Sequence, residues 1–283
     1  MKTIYYAIQN IIRGKDSTIV KVVSLSLGLF LSIVLFARVA MELSYDTFYQ
    51  GHKQLHFVQT VWDFGKGGNP GIENSLYPTG PTIMQHFPEQ VESATVINSW
   101  WPVEFKHGER IYNGKDFLVA DSLFFQTMGI PLLEGNAKDL GMRNVIFMSQ
   151  SFAREVFGNE NPVGKTLLWN GKEQAIVKGI YADIPENNTF RGKAVLSMAS
   201  LDFRKDWFSG GSVSSVVRLK EGADMDFINE RINPILANYI PMEEHYTKLA
   251  QAKSIKVSLT PMDGYHLSFS KVRTMLYILS LLG

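Results

Sequence analysis

Cysteine is absent from the 283-residue chain. Disulfides and thiolate metal sites are therefore excluded, and any folded part must hold together by packing and hydrogen bonding alone. An excess of charge of one sign is also missing. Lys and Arg number 28, Asp and Glu 27, and the formal net charge is +1. With no basic tract, the electrostatic footprint of a nucleic-acid binder is missing, so no nucleic-acid partner is expected. Signatures of catalysis are also lacking. His52, His56, His86, His107, His245 and His266 form no His-Glu-x-x-His zinc motif, and no Gly-x-Ser-x-Gly nucleophile elbow occurs. Gly158-Asn-Glu-Asn-Pro-Val-Gly-Lys-Thr166 approaches a phosphate-binding loop but has one residue too many between its glycines. Pro162 removes an N–H that such a loop aims at phosphate, and the residues after Thr166 read as a strand, not the helix whose N-terminus holds the anion. The stretch is read as a turn into a strand. The chain is not read as an enzyme, and neither a cofactor nor a metal is expected.

What the chain does have is one long apolar run. Val22–Ala37 carries no charge and is bracketed by Lys21 and Arg38. Ile19, Val20, Val39, Ala40 and Met41 extend it to the ~20 residues that a bilayer core requires. Lys21 and Arg38 are placed to snorkel to the two membrane interfaces. A buried core helix would show a polar face over this length. A cleaved signal peptide would have a shorter apolar region ending in small residues, whereas Arg38 interrupts Phe36-Ala-Arg-Val-Ala40. The run is read as an uncleaved transmembrane helix. Lys2, Arg13, Lys15 and Lys21 precede it with only Asp16 against them, and Arg38, Glu42 and Asp46 follow. The positive-inside rule then places the N-terminus in the cytoplasm and the bulk of the chain outside.

Four regions follow: a cytoplasmic amphipathic helix over 1–16, a transmembrane helix over 17–43, an external domain over 44–270, and the start of a second, truncated span over 271–283. In the first, Ile4, Ala7, Ile8, Ile11 and Ile12 recur at helical spacing. In the external domain, the patterning predicts a helical extension over Glu42–Gln50. It predicts strands over Leu55–Phe64, Val91–Phe105, Arg110–Ala120, Thr166–Trp169, Glu173–Tyr181, Lys193–Met198, Val213–Leu219 and Ile255–Leu259. Helices are predicted over Thr79–Phe87, Ser122–Met128, Ser149–Phe157, Asp224–Tyr239 and Glu243–Ala252. Ser149 is placed to cap its helix, and Asn170-Gly171 is the signal of a tight hairpin. Trp100 and Trp101 read as core or inter-lobe packing. Trp207 and Phe208, beside Gly210-Gly211, are candidates for contact with a partner.

Several landmarks resemble one family. Ala7-Ile-Gln-Asn-Ile-Ile-Arg-Gly-Lys15 before a first span is similar to the N-terminal motif of FtsX/MacB-type ABC transporter permeases. Glu42-Leu-Ser-Tyr-Asp-Thr-Phe48 resembles the exit from that span in long members from Bacteroidetes. Phe157–Thr166, then Asn170-Gly171 and Val177-Lys-Gly-Ile-Tyr-Ala-Asp183, resemble the family's periplasmic core domain, and Leu259–Leu267 its approach to the second span. Lys178 stands where that family's strand is apolar. The resemblance implies an α+β fold: a two-lobed mixed α/β periplasmic domain with an inserted lobe over roughly 92–182. It implies a permease of the bacterial inner membrane, with ATP hydrolysed by a separate cytoplasmic ABC ATPase subunit. The periplasmic domain would relay that motion for export or extraction of an envelope substrate. Implied partners are the ATPase, a second permease copy or a second half of the same chain, a periplasmic protein and the lipid bilayer. A membrane-bound sensor, with a ligand domain between two spans, has the same topology and is the alternative.

Overall fold

The computed structural model describes Tyr6 and residues 17–63, 74–114, 116–202, 205–207, 213–240 and 254–268. Apart from Tyr6, the expected helix over Lys2–Arg13 lies outside these residues, as do the helix over Glu243–Ala252, the stretch 271–283 and Phe208. The chain divides into two units, Met1–Ser44 with His266–Gly283, and Tyr45–Tyr265.

The first unit contains helix α1, Ser17–Leu43. Its stretch Ile19–Leu43 is long and apolar enough to cross a membrane. At 1.5 Å per residue it spans roughly 37 Å, more than the ~30 Å hydrocarbon core. Its apolar side chains, among them Leu25, Leu29, Phe30 and Phe36, are exposed, which suits a solvent of lipid. The helix stops at Leu43 and does not continue to Gln50. The chain turns instead, and Asp46 takes a left-handed conformation (φ 61°).

The second unit is a mixed α/β domain built on one sheet, 13-stranded among the described residues. In chain order its strands are β1 (Leu55–Asp63), β2 (Asn74–Ser75), β3 (Val91–Asn98), β4 (Glu104–His107), β5 (Arg110–Asn113), β6 (Phe117–Ala120), β7 (Leu132–Gly135), β8 (Val145–Ser149), β9 (Thr166–Trp169), β10 (Glu173–Tyr181), β11 (Ala194–Ser197), β12 (Val213–Leu219) and β13 (Ser254–Pro261). Helices α2 (Thr79–His86), α3 (Phe124–Met128), α4 (Gln150–Phe157) and α5 (Met225–Leu236) connect them. The spatial order is β13-β1-β12-β3-β6-β11-β8-β10-β9-β4-β5, with β2 on β12 and β7 on β10. Pairs β8–β10 and β6–β11 are parallel; the other ladders are antiparallel. Chain-distant strands β1, β3, β12 and β13 thus occupy one end of the sheet, and the segment between β4 and β11 fills the other.

The core explains why the central strands look uniformly apolar. Along β8, Ile146 and Met148 pack with Phe152 and Phe157 of α4, while Val145 and Phe147 pack on the other face with Phe125 and Tyr181. Strands covered on both faces lose the alternation of a half-buried strand. A third cluster puts Ile228, Ile232 and Leu236 of α5, with Ile83 of α2, against Val58, Val217, Val257 and Leu259.

Local signals behave as their chemistry requires. Ser149 Oγ accepts the Phe152 N–H (3.3 Å) and starts α4. Asp224 caps α5 by accepting from Asp226 N and Phe227 N. Asn170 (φ 45°) and Gly171 (φ 69°) both take the positive φ of a type I′ turn between β9 and β10. Two expected strands are broken. Val91–Phe105 stops at Asn98, whose carboxamide accepts from Trp100 N (3.0 Å) and Trp101 N (2.7 Å) and turns the chain outward. Arg110–Ala120 divides at Gly114 into β5 and β6.

Candidate functional site

In the first unit, Lys21 is exposed near one end of α1 and Arg38 lies near the other. Their separation along the helix is roughly 26 Å at 1.5 Å per residue, close to the thickness of a hydrocarbon core. Arg38 forms an ion pair with Glu42, one turn on. Glu42 is buried, and its other carboxylate oxygen accepts from His266 Nε2 (2.7 Å). The end of the spanning helix is thereby tied to residue 266, where the chain re-enters this unit.

In the second unit, the segment following the helix is fastened to the sheet domain in two places. The first is Asp46. Its N–H donates to Asn187 O (3.0 Å), and its carboxylate accepts from Thr189 N (2.6 Å) and Thr189 Oγ1 (2.7 Å). These bonds hold its left-handed backbone and explain why helix α1 is not prolonged. Nearby, the buried Tyr49 hydroxyl donates to Phe190 O (3.2 Å). Burial, with the Asp46 carboxylate close by, pushes that phenol well above its ordinary value, so it stays a neutral donor.

The second fastening is Arg218 of β12, which is 6% exposed. Its Nε–H donates to Thr127 O (2.7 Å) and Nη2 to Gln50 O (2.7 Å), while Nη1 reaches Gln54 Oε1 (3.0 Å) and Gly51 O (3.4 Å). Gly51 (φ 64°) and Gly129 (φ 65°) make room for it. A Cβ on Gly51 would lie 2.6 Å from Arg218 Nη1, and one on Gly129 2.6 Å from Gln50 O. Burial lowers the guanidinium pKa from its ordinary value, partly offset by Glu92, but the group stays charged at any physiological pH. Sequence reasoning passed over Arg218, although a lone charged residue in the otherwise uncharged strand Val213–Leu219 was the available signal.

The aromatic candidates fall in different settings. Trp207 is half-buried and stacks on Tyr239 (centroids 5.8 Å, 27°). Trp100 and Trp101, expected to be packed inside, are 69% and 43% exposed. The Asn98 turn places them on the rim of an open groove of about 890 Å³ with Glu104, Asn113, Gly114 and Asn170. The phosphate-loop look-alike is a turn closed by the Lys165–Glu160 ion pair, leading into β9. Among the described residues no group of three or more His, Asp or Glu is placed to hold a metal ion.

Comparison with known proteins agrees with this architecture. Residues 18–235 match the MacB-like periplasmic core domain. The chain belongs to that family, a component of ABC transporter permeases. Its fold is similar to a domain described as that of a permease from Porphyromonas gingivalis, at 20% identity and TM-score 0.62, covering 75% of this chain and 92% of that one. Two further structures are the periplasmic region of MacB from Actinobacillus actinomycetemcomitans (16% identity, TM-score 0.48, 73% and 89% covered) and the extracellular domain of the ABC-type transporter YknZ from Gram-positive bacteria (13%, 0.47, 71% and 98%). No curated protein matches the chain.

Proposed function

We propose that this chain is a permease component of an ABC transporter whose sheet domain lies outside the cytoplasmic membrane and relays ATPase-driven motion to an envelope substrate. The observation that carries this reading is the family match over 18–235, which takes in nearly all of α1 as well as most of the sheet domain. The flanking charges support a cytoplasmic N-terminus and an external domain over 44–270. ATP hydrolysis belongs to a separate cytoplasmic ATPase, and the chain contributes no catalytic residue. The relay is supported by the fastening of residues 46–54 to the sheet, because a segment held by buried hydrogen bonds moves with the body it is bonded to. A second permease copy, or a second half of the same chain, would complete the membrane part. Trp207 and Phe208 are proposed as a contact for a periplasmic protein.

The test is purification of the full-length protein from its native membrane in detergent. We expect a stoichiometric ABC ATPase to copurify, with an ATPase rate that changes when the permease is present. Recovery of a signalling kinase in its place would sink the transport reading and favour the sensor.

A further inference from the structure

We propose that Arg218 is a strut that couples movement of the segment leaving the membrane helix to β12 and the end of α3. The proposal rests on the relay reading above. One guanidinium joins three stretches of chain: Gln50–Gln54, the end of α3 at Thr127, and β12. Strand β12 pairs with β1 on one side and β3 on the other. Gln54 also runs directly into β1, which pairs with β12. Arg218 adds a side-chain link from Gln50–Gln54 to β12 and to the end of α3 that does not pass along the backbone.

The chemistry argues for more than packing. All four hydrogen bonds run to neutral oxygens. Burying a charge with no carboxylate in hydrogen-bond contact is a costly way to fill space, even with Glu92 partly offsetting it, and an apolar side chain of similar volume commonly serves stability as well or better. What a guanidinium adds is a rigid planar fork that accepts only one arrangement of acceptors. Gly51 and Gly129 are shaped to that fork, since a side chain on either would strike the Arg218 guanidinium or Gln50 O. The Gln50 N–H, donating to Gly129 O (3.2 Å), closes the same joint from the other side. These contacts form one joint with a single geometry, suited to transmitting displacement without slack.

The experiment uses the full-length protein with its ATPase in lipid nanodiscs, followed by amide hydrogen exchange with and without ATP and vanadate. In the natural protein, trapping is expected to change exchange in 45–54 and also in 124–129 and 213–219. In Arg218→Gln, the change in 45–54 is expected to persist. The nucleotide-dependent change in 124–129 and 213–219 should fall at least fivefold. Arg218→Lys, which keeps the charge and loses the fork, should behave like Arg218→Gln. If Arg218→Gln fails to fold, Gly51→Ala tests the same joint by displacing Nη1. A folded variant that transmits the change undiminished overturns the strut while leaving the relay intact. If the natural protein shows no nucleotide-dependent change anywhere in 45–265, the relay reading falls, and the strut with it.

Discussion

His56 shows how a single residue ties this domain to pH. It is buried beside the Arg218 joint, and its Nδ1 lies 3.0 Å from Gln54 O. Burial lowers its pKa below the ordinary 6.5, and the Gln54 carbonyl only partly opposes this. Between the folded value and 6.5 the unfolded chain binds more protons than the folded one, so stability rises with pH across that window. The contribution is complete above 6.5 and is lost as pH falls through the folded value. Thermal melting of the protein should therefore weaken from pH 7 to pH 5, and His56→Gln should flatten the slope. An unchanged slope in the variant would assign the effect to other groups. Asp121 is buried as well, and burial raises its carboxyl from the ordinary 3.8 against hydrogen bonds from Thr95, Val96 and Leu123. A carboxyl raised by burial gives a slope of the opposite sign, so the His56→Gln comparison is made in an Asp121→Asn background.

At the scale of elements, the two ends of the sheet are finished differently. β13 would be an open edge, but helix α5 seals it. Asn229 accepts from Leu259 N (2.6 Å) and donates to Leu259 O (3.2 Å), while Asn233 accepts from Val257 N (2.8 Å) and donates to Val257 O (2.9 Å). The match is geometric. Four residues of helix rise ~6 Å, and two residues of strand advance ~6.8 Å, so two carboxamides one turn apart meet alternate peptide groups. They act as a substitute strand. At the other end, β5 closes the path among the described residues. It is short and carries Arg110, two of the devices that discourage edge-to-edge pairing. Asn229→Ala with Asn233→Ala should cost roughly 2–4 kcal/mol, at about 1 kcal/mol per hydrogen bond, measured by urea unfolding. The double variant should also scatter more light at high concentration. Unchanged stability would mean that water replaces both carboxamides without loss.

At the scale of the whole molecule, the lack of cysteine in these 283 residues becomes an experimental asset, because a thiol introduced here is the only one in this stretch. In spheroplasts, Lys53→Cys should react with a membrane-impermeant maleimide, and Lys15→Cys should react only after permeabilisation. The reverse pattern would invert the proposed orientation and place the sheet domain in the cytoplasm. The labelling also bears on Lys21 and Arg38, since the same charge asymmetry that orients the helix sets them at opposite interfaces.

Much of this protein was readable from residue order, for definite physical reasons. An uncharged run of membrane length between two basic residues can satisfy its backbone in lipid only as a helix. Asn170-Gly171 tolerates the positive φ of a tight hairpin, and Ser149 and Asp224 supply oxygens that start helices. These are local effects, complete within a few residues. β8 was not visible as a strand, because both its faces are covered and its alternation is lost. The outward turn at Trp100-Trp101 depends on where the Asn98 carboxamide points. The helix stops at Leu43 because Asp46 is claimed by Asn187 and Thr189, residues more than a hundred positions away. Arg218, Asn229 and Asn233 acquire their roles only when distant carbonyls are brought within 3.5 Å of them. A hydrogen bond between segments remote in sequence leaves no periodic trace, so only the folded chain could reveal which polar residues bind the joint and seal the edge.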